Sequence, residues 1–366
     1  MIKYREIKNL RTLLIALFSF LLGCMVTINL TPVEKTCIID KSDREYRILQ
    51  NSRLQNPEVI VLILSAPKHI EKRKVIRETW LNLGQITSTP YRFKHYFVVG
   101  SLGLDSDQLL HLSNEQSEFW DILILPMQDN YMNLTKKVLQ MFQWLNDQYN
   151  YGLQYKFALK CDDDTFINLP ALLKDIQNME HHLATSQLQF PLNLPPEQLN
   201  RFITVDVQSN EKVQVENMSL YWGYFAGNSK VQTFGKWAEP HWIACDKYVP
   251  YALGGGYILS KELVSFIARN ADNLRVYNSE DVSVGLWLAP VNNIIRIHDI
   301  RFDTEWTTRG CKDFYLVTHN IPPDDMRNMY DSLQTDKRLC KKEHVRRKYY
   351  LYDWKGSPAK CCVAWH

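Results

Sequence analysis

The sequence lacks a charge imbalance. Its 366 residues carry 43 Lys and Arg against 40 Asp and Glu, a formal net charge of +3. Without an overall basic field, nucleic-acid binding is set aside. The chain also lacks a phosphate loop and a second histidine-rich metal shell, so its acidic runs do not suggest a metal-dependent phosphohydrolase. What is present is 45% hydrophobic and 23% charged, an ordinary globular composition. The length suffices for one large domain or two smaller ones.

A local absence is more informative. Residues Thr12–Leu30 hold no charged side chain across 19 positions, enough for a helix to cross a bilayer. Lys3, Arg5, Lys8 and Arg11 precede the run against Glu6 alone, so the N-terminus is expected to stay cytosolic. The run is long for a cleaved leader and lacks a clear small-residue cleavage site. The expectation is a cytosolic tail over 1–11, a signal-anchor over 12–30, a stem over 31–56 and a lumenal domain over 57–366 with a cysteine-containing extension. Of eight cysteines, Cys24 lies in the span, leaving Cys37, Cys161, Cys245, Cys311, Cys340, Cys361 and Cys362. That usage suits an oxidising lumen, and the pairing stays open. Sequons stand at Asn133 and Asn217.

From Val59 the pattern is that of a folded domain. The runs at 59–64, 93–100, 121–127 and 155–160 predict strands, the first apolar enough to be buried on both faces. The stretches 70–80 and 134–148 predict helices; the second has apolar residues at 134, 138, 141, 142 and 145. Strand alternating with helix implies a mostly parallel sheet covered on both faces. The second half is less regular, with aromatic residues dense around Trp222, Trp237 and Trp242 and three glycines at Gly254, Gly255 and Gly256. Such aromatics fit either a thick core or a sugar-binding surface.

Directly after the fourth predicted strand come Asp162, Asp163 and Asp164. Three adjacent carboxylates repel, so water or a cation must hold them. Ligands of open α/β sheets bind beyond the carboxyl ends of strands, which favours a site. Carboxylate oxygens suit Mg²⁺ or Mn²⁺, and an Asp-x-Asp pair can present a metal to a diphosphate. Alone, that pair is a weak signal.

Five motifs in order strengthen it: RKVIRETW at 73–80, YMNLTKK at 131–137, KCDDDTFIN at 160–168, YVPYALGGGYILS at 248–260 and EDVSVGLWL at 280–288. In these the chain resembles the inverting β-1,3-galactosyltransferases of glycosyltransferase family 31, over roughly residues 57–335. The resemblance implies an α/β fold of the GT-A, Rossmann-like type. Gly255 stands where most members have threonine, and the tail ends in Cys361–Cys362, which most lack. Both favour the branch that builds the glycosaminoglycan–protein linkage region.

The resemblance implies galactose transfer from UDP-α-galactose to Gal-β1,4-Xyl on a proteoglycan core protein. It further implies a divalent cofactor, Mn²⁺, and Golgi residence as a type II membrane protein. A homodimer, or a complex with other linkage-region transferases, is the expected association. The resemblance makes Asp281 the catalytic base, with Glu280 its rival; both also suit the N-terminus of a helix. Asp164, supported by Asp162 and completed by His319, is the expected metal group. Arg73 and Arg77, four apart on one helix face, are expected at the nucleotide phosphates, with Lys137, Lys160, Asp162 and Asp163 as further donor-side residues. Trp222, Tyr251, Gly255 and Tyr257 are expected on the acceptor side. The run 337–348, with seven basic residues and one acid, reads as a solvated helix face or as contact for an acidic partner. An N-acetylglucosaminyltransferase of the same fold and a silent galactoside-binding lectin are the rival readings; the retained acids disfavour the lectin.

Overall fold

In this computed structural model the described residues are Ser19, 56–86, 92–184, 202–207, 219–244, 246–358 and 360–362. The expected tail, the anchor apart from Ser19, nearly all of the stem, Cys24, Cys37, Cys245 and Asn217 lie outside them. Among the described residues no helix is long and apolar enough to cross a membrane.

The apolar run VIVLIL forms β1 (Val59–Leu64), buried along its whole length. Two helices follow, α1 (Ile70–Glu78) and α2 (Trp80–Ile86), so the helix expected over 70–80 is interrupted at Thr79. Next come β2 (Phe93–Leu102), α3 (Ser106–Phe119) and β3 (Ile122–Gln128). A capping box starts α3: the Asp105 carboxylate accepts from Gln108 N, and the Gln108 side chain accepts from Asp105 N. The amphipathic α4 (Leu134–Asn150) buries Val138, Met141, Phe142 and Leu145. It leads into β4 (Phe157–Asp162), two residues later than its expected place, so that Asp162 closes the strand. A short β5 (Phe166–Ile167) and α5 (Leu169–Ala184) follow.

The second half, irregular by sequence, supplies most of the remaining sheet. Its strands are β6 (Ile203–Val207), β7 (Ser219–Ala226) and β8 (Tyr251–Ser260), followed by α6 (Lys261–Arg269), α7 (Glu280–Leu288) and β9 (Ile294–Asp299). The chain closes with β10 (Phe302–Asp303), β11 (Gly310–Cys311), β12 (Val317–Thr318), α8 (Pro323–Thr335) and β13 (His344–Val345).

The large sheet has the order β3-β2-β1-β4-β8-β7-β9-β6. Strands β1 to β4 are parallel, but β4–β8, β8–β7 and β9–β6 are antiparallel pairs. The sheet is therefore mixed rather than mostly parallel. With the right-handed crossovers that parallel strands require, α1 to α3 fall on one face and the returning α4 on the other. Packing follows that division: α1, α2, α5 and α8 touch one another, as do α4, α6 and α7.

A three-stranded sheet, β10-β12-β5, ties the far end of the chain to the residues just after β4. The basic run is not a helix face: it leaves α8, passes Cys340 and pairs as β13 with β11. Cys340 is disulfide-bonded to Cys311, Cys361 to Cys362, and Cys161 is a buried thiol.

Buried ion pairs fix the segment after β9. Arg301 bridges Asp299 and Asp175 at 2.7 and 2.5 Å. Arg309, 1% exposed, bonds Asp303 at 2.9 Å and the carbonyls of Ile300 and Phe302. Asp303→Ala would remove the hydrogen-bonded counter-charge of that buried guanidinium and leave only Glu305 at 3.8 Å, at a cost of about 3 kcal/mol. Urea denaturation is the check; a loss under about 1 kcal/mol contradicts the assignment.

Candidate active site

The sheet order dictates where a site can form. The chain runs outward from β1 to β3, then returns to place β4 on the other side of β1. This reversal is a topological switch point, and the crevice beyond its carboxyl ends is where such sheets take ligands. Leu64 pairs with Asp162, so Ser65 and the acidic triplet leave the sheet side by side. Antiparallel β8 sets Tyr257 opposite Lys160 and Gly256 opposite Cys161, bringing the three glycines to the same end.

The three aspartates have overlapping partners, with Lys72 reaching both Asp163 and Asp164. Asp163 is buried, with both oxygens engaged at the start of α1: its N-cap His69 Nδ1 at 2.7 Å and Lys72 Nζ at 2.7 Å. Burial would raise its carboxyl, but His69 and Lys72 hold it below the ordinary range. It anchors the triplet to α1 and is not free for a donor, contrary to expectation. His69 and Lys72 were not expected; a charge count around the triplet is the one sequence signal that asks for them.

Asp162 and Asp164 instead face His319. Its Nε2 lies 3.7 Å from Asp162 and 3.3 Å from Asp164, and one ligand atom from each of the three residues lies within 4.8 Å of the others. The register explains the meeting: β12 pairs Thr318 with Phe166, and Ile321 N donates to the Asp164 carbonyl at 2.8 Å. The buried Asp164 Oδ1 has no hydrogen-bond partner of good geometry. Burial opposes ionisation of Asp164, yet His319 and Lys72 bring its carboxyl down to about 2. Two carboxylates, one of them with an unsatisfied buried oxygen, and one imidazole fit a divalent cation. Gly255 is the floor beneath His319 rather than an acceptor surface, since a Cβ there would lie 2.5 Å from His319 Cγ.

Lys160 joins this group to the acids of α7. Its ammonium, 1% exposed, donates to Asp162 at 2.9 Å, Glu280 at 2.5 Å and the Gly254 carbonyl at 2.5 Å. Tyr257 donates its hydroxyl to the other Glu280 oxygen at 3.1 Å and is itself fully buried, behind the site rather than lining it. Burial pushes Glu280 up to about 7, against the pull of Lys160 and with the repulsion of Asp281. Asp281 is half-buried and accepts from the backbone N–H groups of Gly254 and Val282, both at 2.9 Å. Burial raises its pKa too, while Lys160 and the two N–H groups favour the carboxylate. Both acids have both oxygens bonded, but Glu280 is buried against Lys160 and Tyr257, whereas Asp281 is held by backbone N–H groups and stays partly exposed.

Several expected residues lie elsewhere. Arg73 is fully buried, paired with Glu115 at 2.6 Å and bonded to Ser65 Oγ and the carbonyls of Ala66 and Pro67. Arg77 clasps Asp121 with two bonds of 2.8 Å and also reaches Glu115. The two arginines share a face, as their spacing requires, but their counter-charges come from α3 and its C-terminus. Lys137, buried, bonds the Ser65 carbonyl and Asp129, stitching β1 to the loop before α4. Arg73 and Lys137 brace the loop after β1 from within, and Arg77 ties α1 to α3 and the residue beyond its C-terminus, rather than presenting cations to phosphates. Trp222 is a core residue whose indole donates to Asp299 at 3.0 Å. Tyr251 packs with Tyr248 and Val282, behind Asp281. The Asn133 amide donates to the Gln128 carbonyl at 3.1 Å, so this sequon asparagine also holds the turn before α4.

A family model described as galactosyltransferase matches residues 71–299, more than half of the chain. The chain belongs to the galactosyltransferase family. A mouse protein named beta-1,3-galactosyltransferase 6 is 40% identical over 303 residues, 82% of this chain and 81% of the relative. An Arabidopsis hydroxyproline O-galactosyltransferase, GALT5, is 26% identical and covers 75% of this chain. A Xenopus tropicalis UDP-GalNAc:beta-1,3-N-acetylgalactosaminyltransferase 2 is 29% identical over 63% of it. The chain spans only 35% and 38% of those last two relatives. Among solved structures, Staphylococcus aureus TarS aligns at a TM-score of 0.33 and 13% identity, over 66% of this chain and 58% of that one, too weakly for any inference. Family membership makes the chain a glycosyltransferase with a nucleotide-sugar donor.

Two outcomes are expected. Gly255→Ala must displace His319 and should weaken divalent-cation binding at least about tenfold, a typical cost of disturbing a ligand's support. Calorimetric titration of Mn²⁺ checks it, and unchanged affinity contradicts it. A base must be ionised to act, so activity falls as pH drops through the raised pKa of Asp281. The acid limb of the rate profile should lie above the ordinary aspartate value of about 3.9. A limb at or below that value contradicts the burial argument.

Proposed function

We propose that this galactosyltransferase is an inverting β-1,3-galactosyltransferase of the glycosaminoglycan–protein linkage region. It moves galactose from UDP-α-galactose to the galactose of Gal-β1,4-Xyl on a proteoglycan core protein. The fold reading that goes with it is GT-A, in a lumenal domain behind a single N-terminal Golgi membrane anchor. The ordered motifs, the Gly255 and Cys361–Cys362 departures and the 40% identity to the mouse relative support this branch.

The observation that carries the chemistry is the convergence on Lys160: one ammonium bonds Asp162 of the candidate metal group and Glu280, the neighbour of Asp281. Asp162, Asp164 and His319 would hold a divalent cation, Mn²⁺ in this reading, which when bound neutralises charge on the departing diphosphate. The remaining work falls to the chain. Asp281 accepts the proton of the acceptor hydroxyl as its oxygen bonds the anomeric carbon; the bond from that carbon to UDP breaks on the opposite face. One displacement turns the α-linked donor into a β-linked product. Glu280, with both oxygens engaged, positions Lys160 and the turn at Gly254.

The test is transfer by the full chain, offered UDP-galactose, UDP-N-acetylglucosamine or UDP-N-acetylgalactosamine with Gal-β1,4-Xyl, with Mn²⁺ or a chelator. The expected result is Mn²⁺-dependent galactose transfer, with kcat reduced about 100- to 10,000-fold by Asp281→Asn. Transfer of an N-acetylhexosamine alone would overturn the donor assignment. Galactoside binding without turnover would favour a lectin.

A further inference from the structure

Outside the residues already assigned, one exposed cluster stands at the rim of the site. Trp306 is 59% exposed and Trp237 is 38% exposed, and their rings meet edge to face at 5.2 Å. The Lys236 ammonium lies over three rings: Tyr131 at 4.3 Å, Trp306 at 5.0 Å and Trp237 at 5.7 Å. Two exposed indoles and a lysine held by cation–π contacts form a preorganised surface that the core does not need.

Both ends of the cluster are tied to the chemistry. Two residues after Trp237, buried Glu239 accepts from Asn278 N at 2.9 Å and Ser279 N at 2.6 Å, immediately before Glu280 and Asp281. Trp237 is thereby fixed to the start of α7. At the other end, the carbonyl of Glu305, next to Trp306, lies 3.3 Å from His319 Nδ1, and the Trp306 carbonyl accepts from Asn320 at 3.1 Å. Trp306 is thereby fixed to the candidate metal corner. Tyr131, beneath the Lys236 ammonium, lies within reach of the charges of Asp281, Glu280 and Asp162, so the indole pair borders the acids of the site.

We propose that Trp306 and Trp237, with Lys236, form a subsite for the second sugar of a β-linked disaccharide acceptor. The assignment rests on the galactosyltransferase reading above and extends it to acceptor length. A pyranose offers an apolar C–H face to an exposed indole, while its hydroxyls can accept from the three ammonium donors of Lys236. An aromatic platform of this kind recognises ring shape and linkage rather than charge.

The experiment compares the full chain with its Trp306→Ala variant on methyl β-galactoside and on Gal-β1,4-Xyl. An exposed side chain is truncated, so the fold should survive. The ratio of disaccharide to monosaccharide KM is expected to rise about tenfold in the variant, the usual scale for loss of an aromatic anchor. A ratio unchanged within about twofold overturns the proposal. Titration of Gal-β1,4-Xyl followed by tryptophan fluorescence reads the subsite without turnover. A saturable change in the unaltered chain that is lost in Trp306→Ala supports it even if no transfer occurs, and no saturable change overturns it. Failure of transfer with binding retained would count against the catalytic reading alone.

Discussion

The site depends on one buried ammonium. Lys160 is surrounded by Asp162, Glu280 and the Gly254 carbonyl, and without it two carboxylates would face each other in a poorly solvated crevice. The contacts hold Lys160 firmly protonated despite the opposing effect of burial. Its placement follows from strand alternation. Lys160 and Asp162, two apart on β4, share a face, while Cys161 points the other way into the core. A register slip of one residue would exchange the ammonium for a thiol. The cross-strand neighbour of Lys160 is Tyr257, whose hydroxyl completes Glu280.

Around this pair the chain solves two further problems. Three consecutive aspartates are made tolerable by separate sets of cations: Asp163 turns to His69 and Lys72, Asp164 shares Lys72 and meets His319, and Asp162 lies between Lys160 and His319. Backbone must also approach side chains closely. A Cβ at Gly254 would lie 2.9 Å from Glu280 and 3.3 Å from Asp281, and one at Gly255 would meet His319. Side chains at these positions would push the acids and the imidazole apart. Glycine there is a condition of the site's geometry, not a mark of flexibility.

Much of the first half was legible because buried strands and amphipathic helices write their period into the sequence. The runs at 59–64, 93–100 and 121–127 became β1 to β3 with small shifts, and the acidic triplet fell at the end of β4. Strand β7 was obscured because it is buried throughout and rich in aromatics, and β8 because three glycines interrupt an otherwise mostly buried run, so no alternation shows. Partner identity was the harder limit. The spacing of Arg73 and Arg77 gave their shared face, but Glu115 lies 42 residues beyond Arg73 and nothing local announces the pair. Arginines expected at phosphates therefore proved to be internal braces. Trp222 looked like a sugar platform from its neighbours, whereas Trp306, alone in its stretch, gave no sign; burial separates the two and is not written locally. The sequence motifs, more than periodicity, pointed to Asp164, His319 and Asp281.

The claim that Lys160 makes one site of two acidic groups is most directly tested by a double-mutant cycle on transfer rate, using Lys160→Met, Glu280→Gln and both together. If the ammonium couples the groups, the second change adds little to the first, and the double variant loses about as much kcat as the worse single one. Losses that multiply independently would mean that the candidate metal group and the α7 acids act apart, and would contradict the account.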